Sequence, residues 1–267
     1  MDETPDGWYR QLSIQFEDGS VELLHIERKP TGTHIPLLRE RPEPWTKLTV
    51  HKCPCCPLPD ILPTCPAAVS LQTTMSKLRS RKSIERVKAT AIDANGRSQT
   101  VEWPLQAVGS SLVQLAVFAS GCPVGRRLKP FLQGLPPFVS SLDLSRRIAT
   151  MILQKHGGSI EASRQELAES LAPLHDVFTH LTRRIRVDEQ DKIEGMDGIA
   201  ALARDAVPNS ITAVDAFAQL LAVRANSLFA QLSTDLGWTG AAKPARPAAP
   251  AQPKAGGWWQ RLAGLFR

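Results

Sequence analysis

No run of consecutive apolar residues in this sequence reaches the roughly 18 that a membrane-spanning helix requires. The opening residues, Met1-Asp2-Glu3-Thr4-Pro5-Asp6, are acidic where a secretory signal is basic and then apolar. Both absences make a cytoplasmic chain the expectation. There is no G-x-G-x-x-G, no G-x-S-x-G, and no Lys-Ser/Thr after Gly157-Gly158, so the dinucleotide, hydrolase and phosphate-loop signatures are missing. Aromatic residues make up only 6%, with a single tyrosine. Charged residues at 22% and hydrophobic ones at 42% exclude wholesale disorder, a collagen-like repeat and a coiled-coil rod. With 267 residues, what is left is one large globular domain or two smaller ones.

Acid is missing from one end of the chain altogether. After Asp235 no acidic side chain occurs, whereas Lys243, Arg246, Lys254, Arg261 and Arg267 are all present there. The net charge of +6 and pI of about 9.2 suggest a polyanionic partner, but these five cations leave only +1 for residues 1–239. Within the body, Lys77, Arg79, Arg81, Lys82, Arg86 and Lys88 form a basic run. No aromatic or glycine-rich partner accompanies it, so it reads as a solvated junction between a helix and a strand, and nucleic acid is not the expected partner.

Alternating residues from Leu12 to Phe16, the turn Glu17-Asp18-Gly19-Ser20 and a second run from Val21 to Ile26 predict a β-hairpin. Residues 29–46 contain four prolines and read as irregular, and Leu48 to His51 reads as a short strand. Pro66 suits the first turn of a helix reaching Leu78. Ser83–Asp93 and Ser98–Trp103 about Asn95-Gly96 predict a second hairpin. From Pro104 the period becomes helical: Leu105, Val108, Leu112, Leu115 and Phe118 share a face, with Gly121 as the expected C-cap. Asp143 is the expected N-cap of a helix from Leu144 to Lys155, stopped by Gly157-Gly158. Further helices are predicted over Ser163–Arg186 and Ala213–Leu236. The class is α+β: N-terminal β-hairpins with a Cys-rich loop (strand-rich 8–103), then a helical half (104–239).

Four of the five cysteines fall at Cys53, Cys55, Cys56 and Cys65, and the fifth is Cys122. Thiols clustered in a reducing compartment are more naturally metal-binding or redox-active than a disulfide framework. The spacing Cys53-x-x-Cys56 lets two thiolates reach one ion, and the interspersed prolines stiffen the loop. Four soft thiolates suit tetrahedral zinc. The expected ligands are Cys53, Cys56, Cys65 and Cys122, with Cys55 pointing away and His51 or water as substitutes for the distant fourth. An iron–sulfur cluster, disulfide chemistry aided by Cys65 at a helix N-terminus, and buried cysteines without a cofactor remain open alternatives.

The segments Cys53-x-x-Cys56-Pro57-Leu58, Cys65-Pro66-Ala67-Ala68, Ser120-Gly121-Cys122-Pro123 and Leu128-Lys129-Pro130 resemble a family of uncharacterised bacterial domains over about residues 8 to 190. The resemblance implies that the same four cysteines form a shared site. It implies no activity.

The remaining chemistry is sparse. His175 and His180 are five apart, unlike a zincin pair, and read as surface or satisfied residues. Glu161, Glu166 and Glu169 suit the start of a helix. No nucleophile, base and oxyanion donor assemble, which favours a non-enzymatic reading.

Residues 240–257 place Pro244, Pro247, Pro250 and Pro253 three apart, the pattern of an extended polyproline II spacer. At about 3.1 Å per residue such a linker reaches on the order of 50 Å. Residues 258–267 then carry Trp258, Trp259, Leu262, Leu265 and Phe266 along one helical stripe. An apolar peptide on a tether docks on something: a partner protein is the favoured occupant, an anionic membrane surface the alternative. The sequence thus reads as a cytoplasmic interaction or adaptor protein with a Cys-rich zinc site and a docking tail. A thiol-redox or iron–sulfur protein, and a peripheral protein on the inner face of the membrane, are the competing readings.

Overall fold

A computed structural model describes residues 11–28, 34–36, 41–92, 96–133, 135–193 and 205–238. The linker and the stripe from Trp258 to Phe266 lie outside the described residues.

The predicted first hairpin forms from β1 (Gln11–Phe16) and β2 (Val21–Arg28), paired antiparallel with Leu12 opposite Leu24. Gly19 takes the turn at φ 82°. A three-residue strand, β3 (His34–Pro36), lies in the segment expected to be irregular and pairs with β2. The second hairpin forms from β4 (Arg86–Ile92) and β5 (Ser98–Pro104), and β4 also pairs with β1. The all-antiparallel sheet runs β3-β2-β1-β4-β5. Leu12, Ile14 and Phe16 alternate inward with Val87, Ala89 and Ala91, while Lys88, Thr90, Thr100 and Glu102 face solvent or the rim.

Helices α1 (Pro66–Met75) and α2 (Leu105–Phe118) pack on one another and α2 covers β4 and β5. The rest of the helical half comprises a short α3 (Lys129–Leu132), α4 (Ser141–Lys155), α5 (Ile160–Leu171), α6 (Leu174–Ile193) and α7 (Ala206–Asp235). Helix α7 is its centre and touches α2, α4, α5 and α6. At Gly109 the α2–α7 crossing is closest: a Cβ there would lie 2.1 Å from Ser210 Oγ. Among the described residues α7 is the one helix long and apolar enough to cross a membrane, with a mean hydropathy of 1.3, although no unbroken apolar run exists. It carries Asp215 and Arg224, and its packing accounts for that composition as well as a bilayer would.

Several local expectations are corrected. Leu48–His51 is not a strand but a turn, because Leu48 N donates to Pro63 O and the only ladder contact there is the isolated bridge between Lys47 and Thr64. The N-cap of α4 is Ser140, whose Oγ accepts from Asp143 N at 3.1 Å and donates to the Asp143 carboxylate at 2.6 Å, so Asp143 is the third helical residue and not the cap. Helix α2 ends on Ala119 in helical conformation, two residues before Gly121. The helix expected over Ser163–Arg186 is two, broken at Ala172-Pro173. Proline has no N–H to continue the ladder there.

The basic run does connect a helix to a strand, but it is bonded rather than merely solvated. Arg79 pairs with Glu43 at 3.0 Å and lies over the Trp45 ring; Arg81 pairs with Asp18 at 2.7 Å and lies 3.9 Å over Phe16.

Candidate thiol site

The Cys-rich loop is closed at its base before it does anything else. Cys65 N donates to Thr46 O at 2.8 Å, and the Lys47–Thr64 bridge holds the two ends of the excursion side by side. Within it, Cys56 N donates to Cys53 O at 3.0 Å, a tight turn that places both residues of the Cys-x-x-Cys pair on one side. Lys52 Nζ ties the loop across to Leu58 O and Asp60, both at 2.6 Å. Cys65 is then the N-cap of α1 with Pro66 at the first helical position, and its thiol makes no capping bond.

Cys122 arrives from the other end of the packed helix pair. After α2, Ser120 Oγ donates to Val117 O at 2.8 Å and accepts from Cys122 N at 3.2 Å, turning the chain back. Gly125 N donates to Cys122 Sγ at 3.5 Å. Only glycine fits there, since a Cβ would stand 2.5 Å from Val117 O.

These two segments meet over α6. All five cysteines border one cavity of about 10 Å³, walled by Pro57, Leu58, Pro66, Val124, Val177 and Leu181. That is about the volume of one water molecule or one ion. Cys53, Cys65 and Cys122 are buried; Cys55 and Cys56 are half-buried. Cys55, expected to point away, also borders the cavity, but its thiol is directed to Pro173 O at 3.6 Å. His51 is exposed and does not border the cavity, so it does not stand in for Cys122.

Helix α6 holds the loop along one face. His180 Nδ1 lies 3.0 Å from His51 O, where His51 takes φ 42°, a left-handed conformation for a non-glycine residue. One turn on, Arg184, only 1% exposed, donates through Nη1 to Trp45 O at 3.1 Å and to Lys47 O, and through Nη2 to Leu48 O at 3.1 Å. No sequence motif singles out Arg184. Its one signal is its position seven residues after Val177 and three after Leu181, on an apolar stripe where a cation is out of place.

Burial pushes the Cys53 thiol up to about 12, reinforced by Cys65, Cys55 and Cys122 and opposed by Arg184. Burial also raises Cys55, with Asp176 adding to it. Cys122 is raised by burial too, against the Gly125 and Val124 amides. Metal-free, these three thiols are protonated at neutral pH and weak nucleophiles. As a metal centre the cluster supplies the right donor type in a dry cavity. The sulfurs are not gathered tightly, however: among the described residues no three His, Cys, Asp or Glu side chains are placed to share an ion.

The other singled-out residues have structural partners. His175 Nδ1 lies 3.0 Å from Asp215 across α6 and α7; Glu166 Oε2 meets His156 Nε2 at 2.6 Å and Lys155 Nζ at 2.7 Å; Glu169 accepts from Gln165. Glu161, in the first turn of α5, pairs with Arg164 at 3.0 Å.

A family model for a domain of unknown function, DUF6901, matches residues 10–234. The chain belongs to this family. The match takes in the sheet, both thiol segments and nearly all of α7, well beyond the span near residue 190 where the resemblance was expected to stop. Comparison with curated proteins and with solved structures gave no match. The family body therefore includes the helices that carry the site, and residues 240–267 fall outside it.

Proposed function

We propose that the chain is a non-enzymatic interaction module: a DUF6901 body stabilised by its cysteine cluster, carrying a tethered peptide at 258–267 that docks a protein partner. The observation that carries the structural half is the convergence of all five cysteines on one cavity, although Cys122 is remote from the others in sequence. Zinc is the ion such a staple would take, since thiolates favour it and a closed site contributes folding energy. The upward-shifted pKa values of Cys53, Cys55 and Cys122 speak against a thiol-redox role, which needs accessible thiolate.

The docking half is supported by position and composition. The family match ends at residue 234, and residues 240–267 read in sequence as a proline-spaced tether and an apolar stripe. The partner reading is tested with the full chain carrying a photo-crosslinking residue in place of Trp259. One discrete crosslinked protein, lost on Leu262→Asp, is expected. A tryptophan blue shift with anionic vesicles, abolished by the same substitution, would overturn it in favour of lipid.

A further inference from the structure

Helix α7 is apolar on both of its sides. Inward, Val214, Phe217, Leu221 and Phe229 are buried against the helices that surround it. Outward, Leu220 is 56% exposed, Val223 is 66% exposed, and Ala216 is exposed one turn before Leu220. Steps of four and three put these residues on one face. Only 44% of the most apolar window of the helix is buried, so its packing uses the inner face and leaves the outer one open. Between residues 206 and 234 only Asp215 and Arg224 are charged. Asp215 is turned aside, accepting from Gln219 Nε2 at 2.9 Å and lying 3.0 Å from His175 Nδ1 on α6, and Arg224 marks the far end of the patch.

This patch is too small for a free partner. Its few side chains fall well short of the roughly 800 Å² per partner that a stable interface buries. A peptide on a tether obeys a different rule, because its binding is intramolecular and an effective concentration in the millimolar range makes up for a weak contact. Such a peptide leaves the body at the end of this same helix. Trp238 is fixed there, its N–H donating to Ser233 O at 2.9 Å and its carbonyl accepting from Ser233 Oγ at 3.2 Å. At 1.5 Å per residue, Val223 lies about 18 Å and Ala216 about 28 Å back along the axis from Asp235, the last helical residue. Residues 239–257 would span about 24 Å r.m.s. as a flexible chain and reach about 59 Å as extended polyproline II. The patch therefore falls where the effective concentration of the tethered peptide is high. The lengths agree too: a helical stripe from Trp258 to Phe266 covers about 12 Å, and the patch from Ala216 to Val223 about 10 Å.

We propose that the outer face of α7, at Ala216, Leu220 and Val223, is the resting seat of this chain's own segment 258–267, whose apolar stripe lies on it until a partner takes the peptide. This rests on the reading of that segment as a docking peptide and adds where the peptide sits beforehand. The seat withdraws the two indole rings from water, and the small Ala216 beside Leu220 leaves room for one of them. A partner groove that covers the whole stripe offers more apolar contact than this shallow face and displaces it.

The test uses the full chain, purified alone, with a photo-crosslinking residue in place of Trp259. Irradiation should join position 259 to residues 213–227 of the same chain, mapped by mass spectrometry, in a yield unchanged by about fiftyfold dilution. Leu220→Asp, at an exposed position, should lower that yield about tenfold or more. Leu262→Asp should lower it equally, so the test does not depend on how α7 tolerates an aspartate. A crosslinked dimer whose yield falls on dilution overturns the seat in favour of a second copy. Crosslinks spread over the body, or unmoved by either substitution, overturn it outright. The partner crosslink is scored separately: its presence without any crosslink to α7 sinks the seat alone, and the crosslink to α7 without a partner supports the seat and sinks the partner reading.

Discussion

Two polar knots fasten loops to helices in this body, and they are built with opposite charges. At the start of α7, the half-buried Asp205 carboxylate accepts from Ser83 N at 2.7 Å, from Ser83 Oγ at 3.0 Å and from Asn209 Nδ2 at 2.9 Å. On α6, Arg184 donates to three carbonyls of residues 45–48. Neither has a partner of opposite charge among its bonds. The carboxylate is fully supplied with donors and lies partly open to water, whereas the guanidinium is buried with one N–H to spare. The difference teaches that the Asp205 knot is complete as it stands, while the Arg184 knot carries a charge that its immediate bonds do not balance.

The largest effect should come from breaking the unbalanced knot. Arg184→Met removes the donor to two buried carbonyls, Trp45 O and Leu48 O, while Lys47 O keeps the Val50 N–H; at about 1 to 3 kcal/mol for each buried group left unmet, partly offset by losing the buried charge, the protein should lose about 3 kcal/mol in urea unfolding. A loss below about 1 kcal/mol would mean that water replaces the guanidinium and that the loop is not fixed by it. Gly125→Ala attacks the same site from the Cys122 side. Its Cβ meets backbone at 2.5 Å, so Val117 or the Cys122 turn must shift, at about 2 kcal/mol. An unchanged urea midpoint would show that the turn yields freely.

The balanced knot should be cheaper to break. Asp205→Ala leaves the N–H of Ser83, a residue only 2% exposed, without its acceptor, a loss of about 1 to 2 kcal/mol. A larger loss than for Arg184→Met would reverse the comparison.

How far this was legible in the sequence depends on the range of the interactions involved. The hairpins about Asp18-Gly19 and Asn95-Gly96 and the register of α2 are written in short-range period and turn chemistry, and all formed, whereas the last helix, expected from Ala213, starts seven residues earlier at Ala206. The cysteine cluster was legible as residue type, and Cys122 could be joined to it because its chemistry matched. Helix α6 was not legible as the wall of the site. The sequence reads through Pro173 as helix interior, so no separate helix starting at Leu174 is expected. Arg184 acts on backbone carbonyls 136 or more positions away, and carbonyls carry no sequence signature. Ser140 displaced Asp143 as cap because both can accept a hydrogen bond and only the backbone trace decides which stands outside the helix.

The smallest expected effect concerns an ion pair at the β1–β2 turn, where charge is paired but exposed. Asp18 is held down to about 2 from 3.8 by the Ser20 hydroxyl first and by Arg81 next. Because the folded value lies below the unfolded one, its contribution to stability is fully present above pH 4 and is lost as pH falls from about 4 towards 2. Glu166, where burial acts upward but the hydrogen bonds from Lys155 and His156 outweigh it, is also lowered and loses its contribution in the same direction. Acid unfolding curves of Asp18→Asn and Glu166→Gln should therefore be flatter below pH 4 than that of the parent, each losing part of its stability at pH 7. Solvent screening keeps the Asp18 effect small and salt-sensitive. If Asp18→Asn left the slope between pH 4 and 2 unchanged, the hairpin turn would owe nothing to Arg81, and charge would matter to this fold only where it is buried.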